Sequence, residues 1–217
     1  MAIETTFEDK IRTYLHEGLL TGDIVPGEAV TISSMARKLQ TTSALVRGVI
    51  SRFQHNGVIE EITGKTFTLS KRTGDSARQV FYLTGVLEEF GLCEVEFDQP
   101  EIQSLFAAVD DLKEEKDPAE RYRKDLEFHH MLMARCRNEI SNELIKDLKL
   151  ILFPYVIKAF EEKDYRFRTY LLYRQVVDLL EDEEWEDAGK LLRAYWKILA
   201  DERIQQTEKK ADKDLSS

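Results

Sequence analysis

The chain has 217 residues, 42% of them hydrophobic and 33% charged, with 10 glycines, 4 prolines and a formal net charge of -10. That composition supplies a core and excludes collagen-like, linker-like and disordered chains, and the longest apolar runs, such as Leu150 to Ile157, fall far short of the roughly 20 residues that span a bilayer. The charge is uneven: residues 1–72 carry 9 basic and 8 acidic residues, residues 73–217 carry 22 and 33, and no acidic residue falls between Ala29 and Ile59.

A mildly basic head on an acidic body implies two domains with different partners. The division expected is a domain over residues 1–72, a second over 73–206, and a frayed tail over 207–217. The start, MAIETTFEDK, carries no signal-peptide pattern, and Cys93 and Cys136 form no CxxC. Both cysteines read as reduced thiols of a cytoplasmic protein with no membrane partner.

Thr5-x-x-Glu8 fits a capping box. Phe7, Ile11, Tyr14 with Leu15, and Leu19 then recur at helical spacing, and Gly22 stops the helix. Pro26-Gly27 makes a turn. A short helix is expected from Ile32 to Leu39 and another from Ser43 to His55, with Thr42 as N-cap. On the second, Val46, Val49, Ile50 and Phe53 form the apolar face, opposite Ser43, Arg47, Ser51 and Gln54. Two strands follow, Val58–Ile62 and Thr66–Leu69. They are joined by Thr63-Gly64-Lys65, where Gly64 is expected to supply a positive φ.

Helix, helix, turn, helix, hairpin is the order of a winged helix-turn-helix. The N-terminal end of the second helix of such a motif enters the major groove, where its backbone N–H groups also favour phosphate. Lys65 on the wing is placed for a flanking backbone. The residues expected to meet DNA are Thr42, Ser43, Ala44, Arg47, Arg52 and Lys65.

From Asp75 onward the pattern is helical. Asp75/Ser76 opens a helix to about Val95 with apolar positions Val80, Leu83, Val86/Leu87, Phe90 and Leu92. Asp98 and Pro100 open a second with Ile102, Leu105, Phe106, Val109 and Leu112 inward. Asp117-Pro118 opens a third to about Asn138, and Ser141 a fourth to about Glu162, which Pro154 should kink. Two more are expected over Tyr165–Leu180 and Trp185–Gln206. The fold class expected is mostly α with a small β wing: a winged helix-turn-helix followed by an all-α bundle. On the third helix, Asp125 and His129 stand at i and i+4 on one face, a spacing that can present a carboxylate and an imidazole to one ion. An ordinary buried polar pair is the competing reading. There is no P-loop, GxGxxG or nucleophile elbow, so no enzyme is expected.

The segment from Phe7 to about Ser70 resembles the DNA-binding domain of the GntR family of bacterial regulators. The resemblance rests on Gly22-x-x-x-Pro26-Gly27-Glu28, Met35-Ala36-x-x-Leu39, Val46-Arg47 and Gly57-Val58-Ile59. Where that family usually has arginine, proline and glutamate in the recognition helix, this chain has Ser43, Leu45 and Gly48. Arg47 is retained and implies a contact to guanine or phosphate. Residues from about 75 to 205, through Asp125-x-x-Phe128-His129, Arg137-Asn138 and Leu87-Glu88, resemble the effector-binding FCD domain of the FadR branch. Many FCD domains hold a divalent metal with one Asp and three His. Here Tyr173 and Tyr195 stand where the third and fourth ligands are expected, so no metal and no cofactor are expected. The resemblance implies a homodimeric regulator that binds a double-stranded DNA operator. Its small organic, carboxylate-like effector would be bound near Asp125, His129, Tyr173 and Tyr195. The alternative is a protein-interaction module with a weakened DNA-binding head.

Overall fold

The computed structural model describes residues 6–93 and 95–214. They divide into two compact units. The first comprises residues up to Arg72 together with Lys146–Phe153, and the second comprises Thr73–Ile145 and the chain from Pro154 onward.

Unit 1 opens with α1 (Phe7–Thr21). Its capping box sits one residue later than expected: Thr6 accepts from the Asp9 N–H, and the Asp9 side chain returns to the Thr6 backbone. Thr5 itself lies outside the described residues. Gly22 closes the helix at φ 78°, the left-handed conformation that glycine adopts without strain. A strand missed by periodicity follows, β1 (Ala29–Thr31), and then α2 (Ile32–Lys38) and α3 (Ser43–His55). Thr42 caps α3, its hydroxyl accepting from the Leu45 N–H at 3.3 Å, an interaction worth about 0.5–2 kcal/mol. Val46, Val49, Ile50 and Phe53 are buried as the spacing requires. The wing is β2 (Ile59–Ile62) and β3 (Thr66–Leu69), and β3 lies between β1 and β2 in an antiparallel sheet. Phe67 pairs with Val30 on one side and Ile62 on the other. Gly64 does not take the positive φ expected of it. The connection is closed instead by Thr63, whose N–H donates to the Thr66 carbonyl at 2.9 Å.

Unit 2 begins with α4 (Gly74–Cys93). Its buried face differs from the one its apolar residues trace. Ala77, Phe81, Thr84, Gly85, Glu88 and Leu92 are buried, whereas Leu83, Val86 and Phe90 are about two-fifths exposed. Small residues on the inner face let α4 meet α9 (Trp185–Asp214) closely. A Cβ on Gly85 would stand 3.0 Å from the Trp196 Cβ and 3.3 Å from Arg193 Cα, so glycine is required by backbone approach.

Then come α5 (Gln99–Glu114), opened by a capping box between Asp98 and Glu101, and α6 (Pro118–Met133), capped by Asp117. Helix α6 ends five residues before the expected Asn138. That asparagine instead caps α7 (Glu139–Glu161), accepting from the Ser141 N–H at 3.0 Å. Helix α7 continues through Pro154 and gives residues 146–153 to unit 1. Helix α8 (Lys163–Glu181) precedes α9, which continues past the expected end at Gln206 to Asp214. Residues 215–217 of the expected frayed tail lie outside the described residues. Cys93 is exposed, Cys136 is buried, and both are free thiols. Among the described residues, no helix is long and apolar enough to cross a membrane.

Candidate functional site

In unit 1 the residues expected to meet DNA lie along α3 and the wing. Thr42, Ser43 and Ala44 are exposed at the N-terminal turn of α3. The Arg47 guanidinium donates to the Gly64 carbonyl at 2.5 Å, joining the helix to the wing turn. A guanidinium has five N–H donors, so this bond leaves donors for another acceptor. Arg52 pairs with Glu8 of α1. Lys65 is exposed on the wing, and its carbonyl accepts from the Ile32 N–H at 2.9 Å. One residue of this surface was not among those expected at the interface. Leu45, 58% exposed, lies on the first turn of α3.

In unit 2, helices α6, α8 and α9 bring Asp125, His129, Tyr173 and Tyr195 into one buried cluster. The Tyr173 hydroxyl donates to Asp125 Oδ1 at 2.6 Å and lies 2.9 Å from His129 Nε2. A phenol has one proton and a carboxylate has none to give, so with that proton on Asp125 the second bond is donated by Nε2–H. On the other side of the imidazole, Nδ1 is 2.8 Å from Oε1 of the buried Glu88, and Trp196 Nε1 donates to Glu88 Oε2 at 2.5 Å. The two tyrosines take different partners: Tyr195 pairs with Tyr165, while its ring meets that of Tyr173 at 5.7 Å. The Tyr173 ring stacks on Phe128 at 4.5 Å. Burial first, then the Asp125 charge, push the Tyr173 and Tyr195 hydroxyls above the usual phenol range. Both are therefore neutral at ordinary pH. Glu88 and Trp196 belong to this network, although the sequence placed neither at the site. The signal for Glu88 was its position four residues after Thr84 and seven after Phe81, on the face that is buried.

The cluster does not fit a divalent metal. Its carboxylates and imidazole do not converge on one point: the neutral Tyr173 hydroxyl stands between Asp125 and His129 Nε2, and Glu88 lies against the opposite ring nitrogen, Nδ1. Among the described residues, no three His, Cys, Asp or Glu side chains converge as ligands. An open groove elsewhere in unit 2 is lined by Tyr82, Val86 and Glu89 of α4 and by Lys190, Arg193 and Lys197 of α9, and includes none of the cluster.

Residues 95–197 match the FCD domain family. An FCD domain following a winged helix-turn-helix is the two-part build that the sequence resemblance implied. The fold is that of several solved bacterial proteins. McbR/YncC of E. coli is 15% identical, with a TM-score of 0.69 over 94% of this chain and 100% of that one. A candidate GntR transcriptional regulator from Rhodococcus sp. RHA1 is 16% identical, with a TM-score of 0.64 over 91% and 97%. Lar, which controls expression of the Listeria monocytogenes agr system, is 18% identical, with a TM-score of 0.53 over 91% and 98%. No curated protein matches the chain by sequence.

Proposed function

We propose that the protein is a cytoplasmic bacterial transcription regulator that binds a specific double-stranded DNA operator as a homodimer. The observation that carries this reading is the N-terminal turn of α3. It is exposed, capped by Thr42, and set in a stretch of the chain without acidic residues. Such a helix end offers its N–H groups to phosphate and its side chains to base edges. Ser43, Ala44 and Arg47 are the base-facing residues in this reading, and Arg52 and Lys65 serve the backbone. Unit 2 supplies the dimer contact and the response to a small organic effector. Support for the dimer is the stripe of Leu83, Val86 and Phe90 on α4, apolar and exposed at helical spacing. Support for an effector response that uses no metal is that the neutral Tyr173 hydroxyl, bonded to Asp125 and His129, stands between the two groups that could otherwise share an ion.

The test is selection of bound duplexes from a random pool by the full chain, followed by mobility shifts over a range of salt. An enriched sequence with two related half-sites is expected, with affinity falling steeply as salt rises. No enrichment would leave the interaction-module reading in its place.

A further inference from the structure

Resting on that reading, we infer that the first turn of α3 reads thymine through its C5-methyl group, using an apolar patch formed by Ala44, Leu45 and Gly48. Three observations converge on this patch. Leu45 is 58% exposed, more than any other large apolar residue described in unit 1, and it lies at the turn that enters a groove. Gly48 follows at i+3 from Leu45 and i+4 from Ala44, so the three share one face. A Cβ on Gly48 would meet nothing within 4 Å. The protein's own packing therefore does not require glycine there, although glycine weakens a helix interior. Close approach of an outside surface to the helix backbone accounts for it.

Polar readout is scarce on the same turn. The Thr42 hydroxyl accepts from the Leu45 N–H, and no charged side chain occurs from Thr42 to Val46. Arg47 is tied to the Gly64 carbonyl on the wing. Beside the Ser43 hydroxyl, what this turn presents to a base edge is the methyl and methylene surface of Ala44 and Leu45. In the major groove, thymine offers the C5-methyl that such a surface matches.

The duplex selected by the full chain is remade with deoxyuridine in place of thymidine, one position at a time in each half-site. Affinity is then measured at fixed salt. One or two positions are expected where each lost methyl weakens binding about fourfold, the factor that follows from burying one such group. Leu45→Ala should bind the thymidine and deoxyuridine duplexes alike. Gly48→Ala should bind the thymidine duplex more weakly while its unfolding temperature is unchanged or higher. Sequence-selective binding that is indifferent to every methyl overturns the thymine reading and leaves DNA binding standing. Leu45→Ala that still discriminates overturns the role given to Leu45. Failure to select any sequence overturns both this inference and the function it rests on.

Discussion

The Tyr173 hydroxyl donates its one proton to Asp125 Oδ1 at 2.6 Å, and that bond sets the direction of the buried hydrogen bond next to it. His129 donates from Nε2 to the Tyr173 hydroxyl oxygen, at 2.9 Å, while its Nδ1 faces Glu88. Five side chains, Trp196, Glu88, His129, Tyr173 and Asp125, are connected in sequence across the interior of unit 2.

Removing the hydroxyl strands its neighbours. Tyr173→Phe keeps the ring stacked on Phe128 but leaves Asp125 Oδ1 and His129 Nε2 without that partner. A loss of about 1–3 kcal/mol in unfolding free energy is expected, the usual cost of an unsatisfied buried polar group. Urea denaturation of the two proteins measures it.

Metal content follows from the same bond. Protein purified without chelator is expected to carry no stoichiometric zinc, nickel or manganese by elemental analysis, because two neutral phenols stand where nitrogen ligands are needed. Replacing both Tyr173 and Tyr195 by histidine should create zinc affinity measurable by calorimetry, since the two rings already lie 5.7 Å apart beside His129. One zinc per chain in the unaltered protein would refute the assignment of the two tyrosines.

On α3, Arg47→Ala is expected to reduce affinity for the selected operator by about 5- to 150-fold, from about 1–3 kcal/mol per base contact. The dimer should remain intact in sedimentation. The substitution also removes the tie to the wing at Gly64, so Arg47→Lys is the useful second variant. Lysine restores charge without the planar fork and should recover nonspecific binding more than specific binding.

Arg12 and Asp147 form a buried pair inside unit 1, with Nε to Oδ1 at 2.7 Å. Asp147→Ala should cost about 3 kcal/mol, the lower end for breaking a buried pair, because Asp9 still faces Arg12 at 2.9 Å. Arg12→Met combined with Asp147→Leu should cost less than Asp147→Ala alone. Thermal unfolding of the three proteins tests the ordering.

His16 of α1 makes stability fall in acid. Desolvation, and then the Lys149 ammonium, push its imidazole down to about 3. The unfolded chain, with an ordinary value near 6.5, takes up a proton that the folded chain refuses. Stability should be undiminished above about pH 6.5, fall as pH drops below that, and level off only near 3. His16→Gln should flatten that slope in urea midpoints measured across the range.

Much of unit 1 was legible because its elements announce themselves locally. Thr42 caps, Val46 to Phe53 repeat at helical spacing, and Gly22 stops α1. Strand β1 was not legible, since three residues are too few to show an alternation and its pairing depends on Phe67 and Thr68, far along the chain. The inner face of α4 was misleading for a different reason. Its largest apolar residues point outward, while Gly85 and Glu88 point inward because Trp196 and His129 are there to receive them. At the site, the positions of Tyr173 and Tyr195 were legible by family resemblance, but the partner of each was not. Which hydroxyl meets which carboxylate is decided by three helices at once.

Residues 146–153, which complete unit 1, are made long after the rest of it. At about 5–20 residues per second, Phe153 leaves the site of synthesis about 4–16 s after Arg72. For that interval the nascent chain holds a winged helix whose Arg12 still lacks the Asp147 carboxylate. Maturation of the winged-helix unit is thus timed by translation of the FCD domain, so a ribosome stalled before codon 146 would release an N-terminal fragment with an incomplete core.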